Sequence, residues 1–329
     1  MALAIEAHGL TKTYRTDRGE VAALRGVDLE VAEGRIFGYL GRNGQGKSTT
    51  VRILTGLTLP TDGRAEVLGS DVVARRDHVQ RQIGVTLQDV ALDDLQTGRE
   101  HLVLVASLWG LDRRAARRRA DELLEEFGLT GAATRVIRGY SGGMRRRLDL
   151  ATSLLGDPRV LFLDEPTTGL DPQSRRALWS RIEQLRSGGV SVFLTTQYLE
   201  EADALADELA IIDAGRVVAC GTPQQLRTDL GSTRIEVRIL DDADREAARG
   251  LLGVERTVHA LGDRLRFEVA ESAEAARLIA RLAADGIEPD ELDVRTSSLE
   301  DVFLGLTGAG IDAGSGRDGD STALEPVAA

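Results

Sequence analysis

Residues 41–49 read Gly-Arg-Asn-Gly-Gln-Gly-Lys-Ser-Thr, after the apolar run Arg35-Ile-Phe-Gly-Tyr-Leu40 and ahead of the helix-forming stretch Ser48-Thr-Thr-Val-Arg-Ile-Leu-Thr-Gly-Leu57. Glycines at this spacing let backbone N–H groups turn inward around phosphate oxygens, and a helix starting directly afterwards aims its positive end at the same anion. Lys47 is placed to reach β- and γ-phosphates, and the Ser48 hydroxyl to ligate Mg²⁺. Gly41, Arg42, Asn43, Gly44, Gln45, Gly46 and Thr49 complete the cradle. Lys12 and Lys47 are the only lysines among 41 basic residues. That scarcity brings accidental matches to this pattern down to the order of a few thousandths per chain. The segment reads as a strand, a phosphate-binding P-loop and a helix.

The surrounding chain carries further buried-strand signals at residues 2–7, 21–31, 84–87, 159–163, 191–195 and 208–213. The uninterrupted runs Val160-Leu-Phe-Leu163 and Val190-Ser-Val-Phe-Leu194 are those of strands covered on both faces. They predict an α/β core with a mainly parallel sheet. Between residues 89 and 157 long helical patterns replace the strand signals, so a helical subdomain is inserted into the core, the whole unit spanning residues 1–230. After Gly231 the order β-α-β-β-α-β predicts a small ferredoxin-like α+β domain over residues 231–308. Residues 309–329, rich in Gly, Asp, Ser and Ala, predict a disordered tail.

The 329 residues are 42% hydrophobic and 29% charged, which excludes wholesale disorder. A net charge of −12 argues against a protein that lives on nucleic acid phosphates. The longest apolar stretch, residues 102–111, is half of what a bilayer requires, and the N-terminal residues lack a secretory signal pattern. One cysteine, Cys220, excludes an internal disulfide and fits a small buried residue.

The strand ending at Leu163 runs into Asp164-Glu165-Pro166. An Asp at the carboxyl end of a neighbouring strand holds the Mg²⁺ shell in P-loop proteins. Glu165, one residue on, is placed as general base toward the attacking water.

Tyr140-Ser-Gly-Gly-Met-Arg-Arg-Arg-Leu148, between these two sites, resembles the signature loop of ABC transporter ATPases. The resemblance covers residues 3–230. It implies that Ser141, Gly142 and Gly143 meet the γ-phosphate of nucleotide held by a second subunit, hence a homodimer around ATP and Mg²⁺. It also implies that Gln88 touches Mg²⁺ and the attacking water while hinging the helical subdomain. Asp171, in Gly169-Leu-Asp171, matches the residue lining the dimer seam, and Tyr14 the aromatic that stacks on adenine.

The switch position, usually His, is Gln197 here, which can donate a hydrogen bond but cannot titrate. Together with Tyr140-Ser-Gly-Gly-Met and the C-terminal Ser298-Leu-Glu-Asp-Val-Phe-Leu-Gly-Leu306, it is similar to the daunorubicin-resistance branch of the family. That branch implies an ATPase subunit, peripheral on the cytoplasmic side of the membrane, powering a separate ABC-2-type permease that exports a drug-like compound. A soluble regulatory ATPase with little hydrolysis is the alternative that Gln197 leaves open. Residues 102–111 are the expected docking surface for the permease, with internal packing of that helix as the alternative.

Overall fold

The computed structural model describes residues 2–17, 19–89, 91–229, 233–253, 257–269 and 272–308. In chain order the first elements are β1 (Leu3–Thr16), β2 (Gly19–Ala32), β3 (Ile36–Leu40), α1 (Lys47–Leu54), β4 (Asp62–Val67), β5 (Ser70–Asp71), α2 (Arg76–Gln80) and β6 (Ile83–Thr86). Then come α3 (Gly98–Leu108), α4 (Arg113–Glu126), two short 3₁₀ turns, α5 (Gly142–Ser153), β7 (Val160–Asp164), α6 (Pro172–Ser187), β8 (Ser191–Thr196) and α7 (Leu199–Leu205). The series continues with β9 (Glu208–Asp213), β10 (Arg216–Gly221) and α8 (Pro223–Asp229). The last part holds β11 (Thr233–Arg238), α9 (Asp242–Leu252), β12 (Val258–Leu261), β13 (Arg264–Val269), α10 (Ser272–Ala284), β14 (Glu291–Thr296) and α11 (Leu299–Thr307).

The central sheet has the order β10-β9-β3-β8-β7-β6 and is parallel except for β10. Every residue of β3, β7 and β8 is buried, the pattern expected of strands covered on both faces. Phe193 sits at the centre, with Phe37, Tyr39 and Phe162 at ring separations of 5.4–5.8 Å. Register pairs Leu40 with Thr196 and Asp164 with Thr195, so three carboxyl ends finish together at one edge. That edge is where open α/β sheets bind ligands.

A second, antiparallel sheet has the order β2-β1-β4-β5. Here the structure departs from the sequence reading. The first strand, expected to end at Ala7, runs on to Thr16 through shifts of register near Gly9, which takes a positive φ of 55°. Strands β4, β5 and β10 were not anticipated, because Asp62-Gly-Arg-Ala-Glu-Val67 is polar and β5 has two residues. Cys220, expected to be buried, is exposed on β10, whose alternating half-covered residues mark an outer strand.

Among the described residues 91–157 is helical, with one isolated bridge between Thr97 and Val136. Reciprocal hydrogen bonds between Thr97 and Glu100 start α3, and Asp112 caps α4. The segment 102–111 is split by helical periodicity. Leu102 and Ala106 are buried, while Leu104, Leu108 and Trp109 stay exposed. No helix of the described residues is long and apolar enough to cross a membrane.

The C-terminal sheet is antiparallel with the order β12-β13-β11-β14. Ile235, Val237, Leu265 and Phe267 alternate inward to meet Ala248, Leu252, Leu278 and Leu282 of α9 and α10. Helix α11 instead packs Leu299, Val302 and Phe303 with Leu40, Leu209, Ile211 and Leu226 of β3, β9 and α8. The expected tail lies outside the described residues.

Candidate nucleotide site

The loop between β3 and α1 is shaped by two left-handed glycines, Gly44 (φ 80°) and Gly46 (φ 103°), which only glycine adopts without strain. A Cβ on Gly46 would lie 2.6 Å from the Ala23 carbonyl oxygen, and one on Gly41 2.7 Å from Ile212, so both sites demand glycine by space. Gln45 fastens the loop by accepting a hydrogen bond from the Ala214 N–H. The loop borders a cavity of about 370 Å³ lined by Ala23, Asn43, Gly44, Gly46, Lys47, Ser48, Thr49, Gln88 and Glu165. Gln88 and Glu165, distant in sequence from the loop, are thus brought to it.

Lys47 Nζ donates to Gly41 O (2.8 Å) and Arg42 O (3.0 Å) and forms an ion pair with Glu165 Oε1 at 3.0 Å. Both side chains are about 95% buried (4% and 5% exposed), so the pair is weakly screened. Glu165 takes a positive φ of 48°, unusual for a residue with a side chain. Its N–H donates to Thr195 O and Oγ1, both at 3.1 Å. Thr195 Oγ1 in turn donates to Asp164 Oδ1 at 2.5 Å. Asp164 therefore has one carboxylate oxygen committed to Thr195.

The remaining expected residues fall into two groups. Gln197 directly follows β8, whose last residue, Thr196, accepts a hydrogen bond from Gly41 N at 3.2 Å. That places Gln197 beside the loop entrance, although it does not line the cavity. Tyr14 pairs with Val21 across β1 and β2, with Lys12 Nζ 5.1 Å from its ring centre, on the hairpin that supplies Ala23. It too stands outside the cavity lining. Ser141, Gly142, Gly143 and Asp171 are brought together elsewhere. Ser141 caps α5 by accepting from Met144 N, and a Cβ on Gly143 would meet Ser174 Oγ at 2.6 Å. Ser174 donates to both Asp171 oxygens, which holds that carboxyl below its ordinary value.

Two groups escaped the sequence reading. Arg146 and Asp149 of α5 are buried and 3.3 Å apart. Burial pushes the Asp149 carboxyl up to about 6 against the opposing pull of Arg146, and burial likewise lowers Arg146. Gly143, Arg146 and Leu150 recur at helical spacing on the covered face, a signal that marks Arg146 as inward. Glu201 of α7 is fully buried, accepts from Trp179 Nε1 at 3.0 Å and is raised by burial.

A phosphate loop at the carboxyl edge of a parallel sheet, an adjacent Asp-Glu pair and a helical insertion with its own glycine-rich helix start define a nucleotide-hydrolysing cassette. Comparison with known proteins agrees. The ABC transporter family profile matches residues 24–168, and one described as the ATP-binding protein DrrA1-3-like C-terminal domain matches 221–307. The daunorubicin/doxorubicin resistance ATP-binding protein DrrA of Streptomyces peucetius is 45% identical over 93% of this chain and 92% of its own length. The Nod factor export ATP-binding protein I of Ralstonia nicotianae is 39% identical over 92% and 94%. A solved structure of the ATP-binding cassette MJ0796, dimeric and bound to ADP and Pi, aligns with a TM-score of 0.62 at 25% identity. It covers 66% of this chain and 98% of that one. The chain belongs to the ATP-binding proteins of ABC transporters, in the daunorubicin/doxorubicin-resistance branch, and is an ATP hydrolase of that family.

Proposed function

We propose that two copies of this chain clamp two MgATP molecules and use the closure to drive export of a drug-like compound through a separate ABC-2-type membrane subunit. One observation carries the reading. Ser141–Gly143 and Asp171 gather at the starts of α5 and α6 and do not line the cavity that Lys47 and Glu165 share. Each is half of a site, and a second copy supplies the other half. The relative from Streptomyces peucetius is named for daunorubicin and doxorubicin resistance and the MJ0796 structure is dimeric, which supports both the cargo class and the assembly.

The donor set fits Mg²⁺. The Ser48 hydroxyl, the Asp164 carboxylate and the Gln88 amide all offer oxygen, and Mg²⁺ takes one or two carboxylates plus substrate phosphates. Bound there, Mg²⁺ would neutralise charge between β- and γ-phosphates. Lys47 exchanges its contact with Glu165 for phosphate, which frees the carboxylate to accept a proton from water. Thr195 holds Asp164 and the Glu165 backbone in register meanwhile.

For docking, a groove of about 360 Å³ lies between the core and the helical insertion, bordered by Leu57, Ile83, Leu87, Val105, Trp109 and Asp149. With Leu104 and Leu108 exposed nearby in sequence, it offers an apolar seat for a segment of the membrane subunit. This holds the chain on the cytoplasmic face as a peripheral protein. The test is size-exclusion chromatography with light scattering on Glu165→Gln at saturating MgATP. A dimer that dissociates when Ser141→Arg is added supports the clamp, and a persistent monomer refutes it.

A further inference from the structure

Arg146 projects from α5, the helix whose tip is Ser141–Gly143, and its side chain is 6% exposed. Nε donates to Pro166 O at 2.8 Å and Nη2 to Asp164 O at 3.0 Å. One guanidinium thus grips the carbonyls on both sides of Glu165. Nη1 donates to Leu87 O at 2.8 Å, immediately before Gln88, and to Asp149 Oδ2 at 3.3 Å. A planar fork with fixed donors transmits orientation in a way a flexible ammonium does not.

The grip falls where backbone geometry needs it. Glu165 holds a sparsely populated left-handed conformation, which persists only when its surroundings over-determine it. Thr195 fixes the N–H of Glu165, and Arg146 fixes the carbonyls before and after. A guanidinium placed only to neutralise Asp149 has no need of three backbone acceptors flanking Gln88 and Glu165.

We propose that Arg146 is a positioning residue for hydrolysis. It sets the aim of Glu165 and Gln88 from the same helix that carries Ser141–Gly143, so movement of that helix is delivered straight to the base. The inference rests on Glu165 acting as the base, as read above.

The test is steady-state MgATP hydrolysis by the full chain. Arg146→Lys keeps the charge beside Asp149 but cannot span both carbonyls. It is expected to lower kcat at least about tenfold while KM stays within about threefold, as misaimed chemistry does. Arg146→Gln with Asp149→Asn removes the pair together, leaves no buried lone charge and is expected to show the same split. In a Glu165→Gln background Arg146→Lys is expected to cost much less than in the wild type, only what it loses through Gln88. A folded Arg146→Lys with kcat within about twofold of wild type overturns the proposal, as does a full additional loss in the Glu165→Gln background. Collapse of both Arg146 variants to unfolded protein also overturns it, since Arg146 is then structural. Wild-type turnover in Glu165→Gln alone would instead remove the base assignment on which this inference stands.

Discussion

Lys47 has three N–H donors, and Gly41 O, Arg42 O and Glu165 Oε1 occupy all three. A phosphate oxygen engages Lys47 only by displacing one of them, and Glu165 is the charged one. At 3.0 Å, with both partners almost fully buried, the direct attraction is about 5 kcal/mol at an effective dielectric of about 20. Most of that is recovered when phosphate replaces carboxylate. What remains is the difference between Lys47 bonded to a carboxylate and to an uncharged amide oxygen, about 1–1.5 kcal/mol, together with repulsion between Glu165 and the incoming phosphate. Glu165→Gln keeps an acceptor for Lys47 and removes the charge, so nucleotide is expected to bind about tenfold tighter. The measurement is calorimetric titration with ADP without Mg²⁺, because ADP lacks the γ-phosphate through which two copies would close. MgATP turnover in the same variant is expected to fall by about two orders of magnitude or more. ADP affinity equal to or weaker than wild type would refute the exchange of partners at Lys47.

Three further outcomes follow from local geometry. Burial raises the Asp149 carboxyl from its ordinary value to about 6, so the folded state favours its protonated form. Its contribution to stability is therefore full below about pH 4 and lost as pH rises through about 6, on the order of 3 kcal/mol. Thermal unfolding should show Asp149→Asn gaining on wild type between pH 5 and 7.5, and parallel profiles would count against it. Gln197→His should add an inflection near pH 6.5, the ordinary histidine value, to the kcat profile, whereas superimposable profiles would place residue 197 away from the chemistry. Gly46→Ala, left-handed and 2.6 Å from a carbonyl, should lose roughly 2–3 kcal/mol and nucleotide binding, while Gly44→Ala, with nothing within 4 Å, should lose about 1 kcal/mol. Equal melting temperatures for the two variants would contradict this.

What the sequence revealed follows the range of the interactions. The phosphate loop is legible because its chemistry is local, with glycines, lysine and helix start contiguous in the chain. Glu165 was singled out because the strand before it is an unbroken apolar run. Arg146 was hidden because its partners are backbone carbonyls 18, 20 and 59 residues away, and a carbonyl has no letter in a sequence. Strand β4 was hidden because Asp62-Gly-Arg-Ala-Glu-Val67 earns its place through ladder bonds to β1, with Ala65 and Val67 alone facing the core. The 102–111 segment was read as one apolar surface, whereas a helix divides it between packing and solvent.

The charges at the sheet edge favour a cation arriving with the triphosphate. Lys47 and Arg146 are the buried cations there, facing Asp164 and Glu165, with Asp149 and Glu201 pushed by burial toward their neutral forms. These cations do not outnumber the surrounding carboxylates before any nucleotide arrives. Backbone N–H groups of the loop and the start of α1 compensate part of a triphosphate. Arg146 is spent on carbonyls and Asp149, leaving Lys47 as the one buried cation that can turn to phosphate. Once it does, Glu165 is left negative beside a second anion. Mg²⁺, for which Asp164 and Ser48 offer oxygen, would supply that counter-charge. ATP affinity should accordingly depend more steeply on Mg²⁺ in the wild type than in Glu165→Gln, where that second anion is gone.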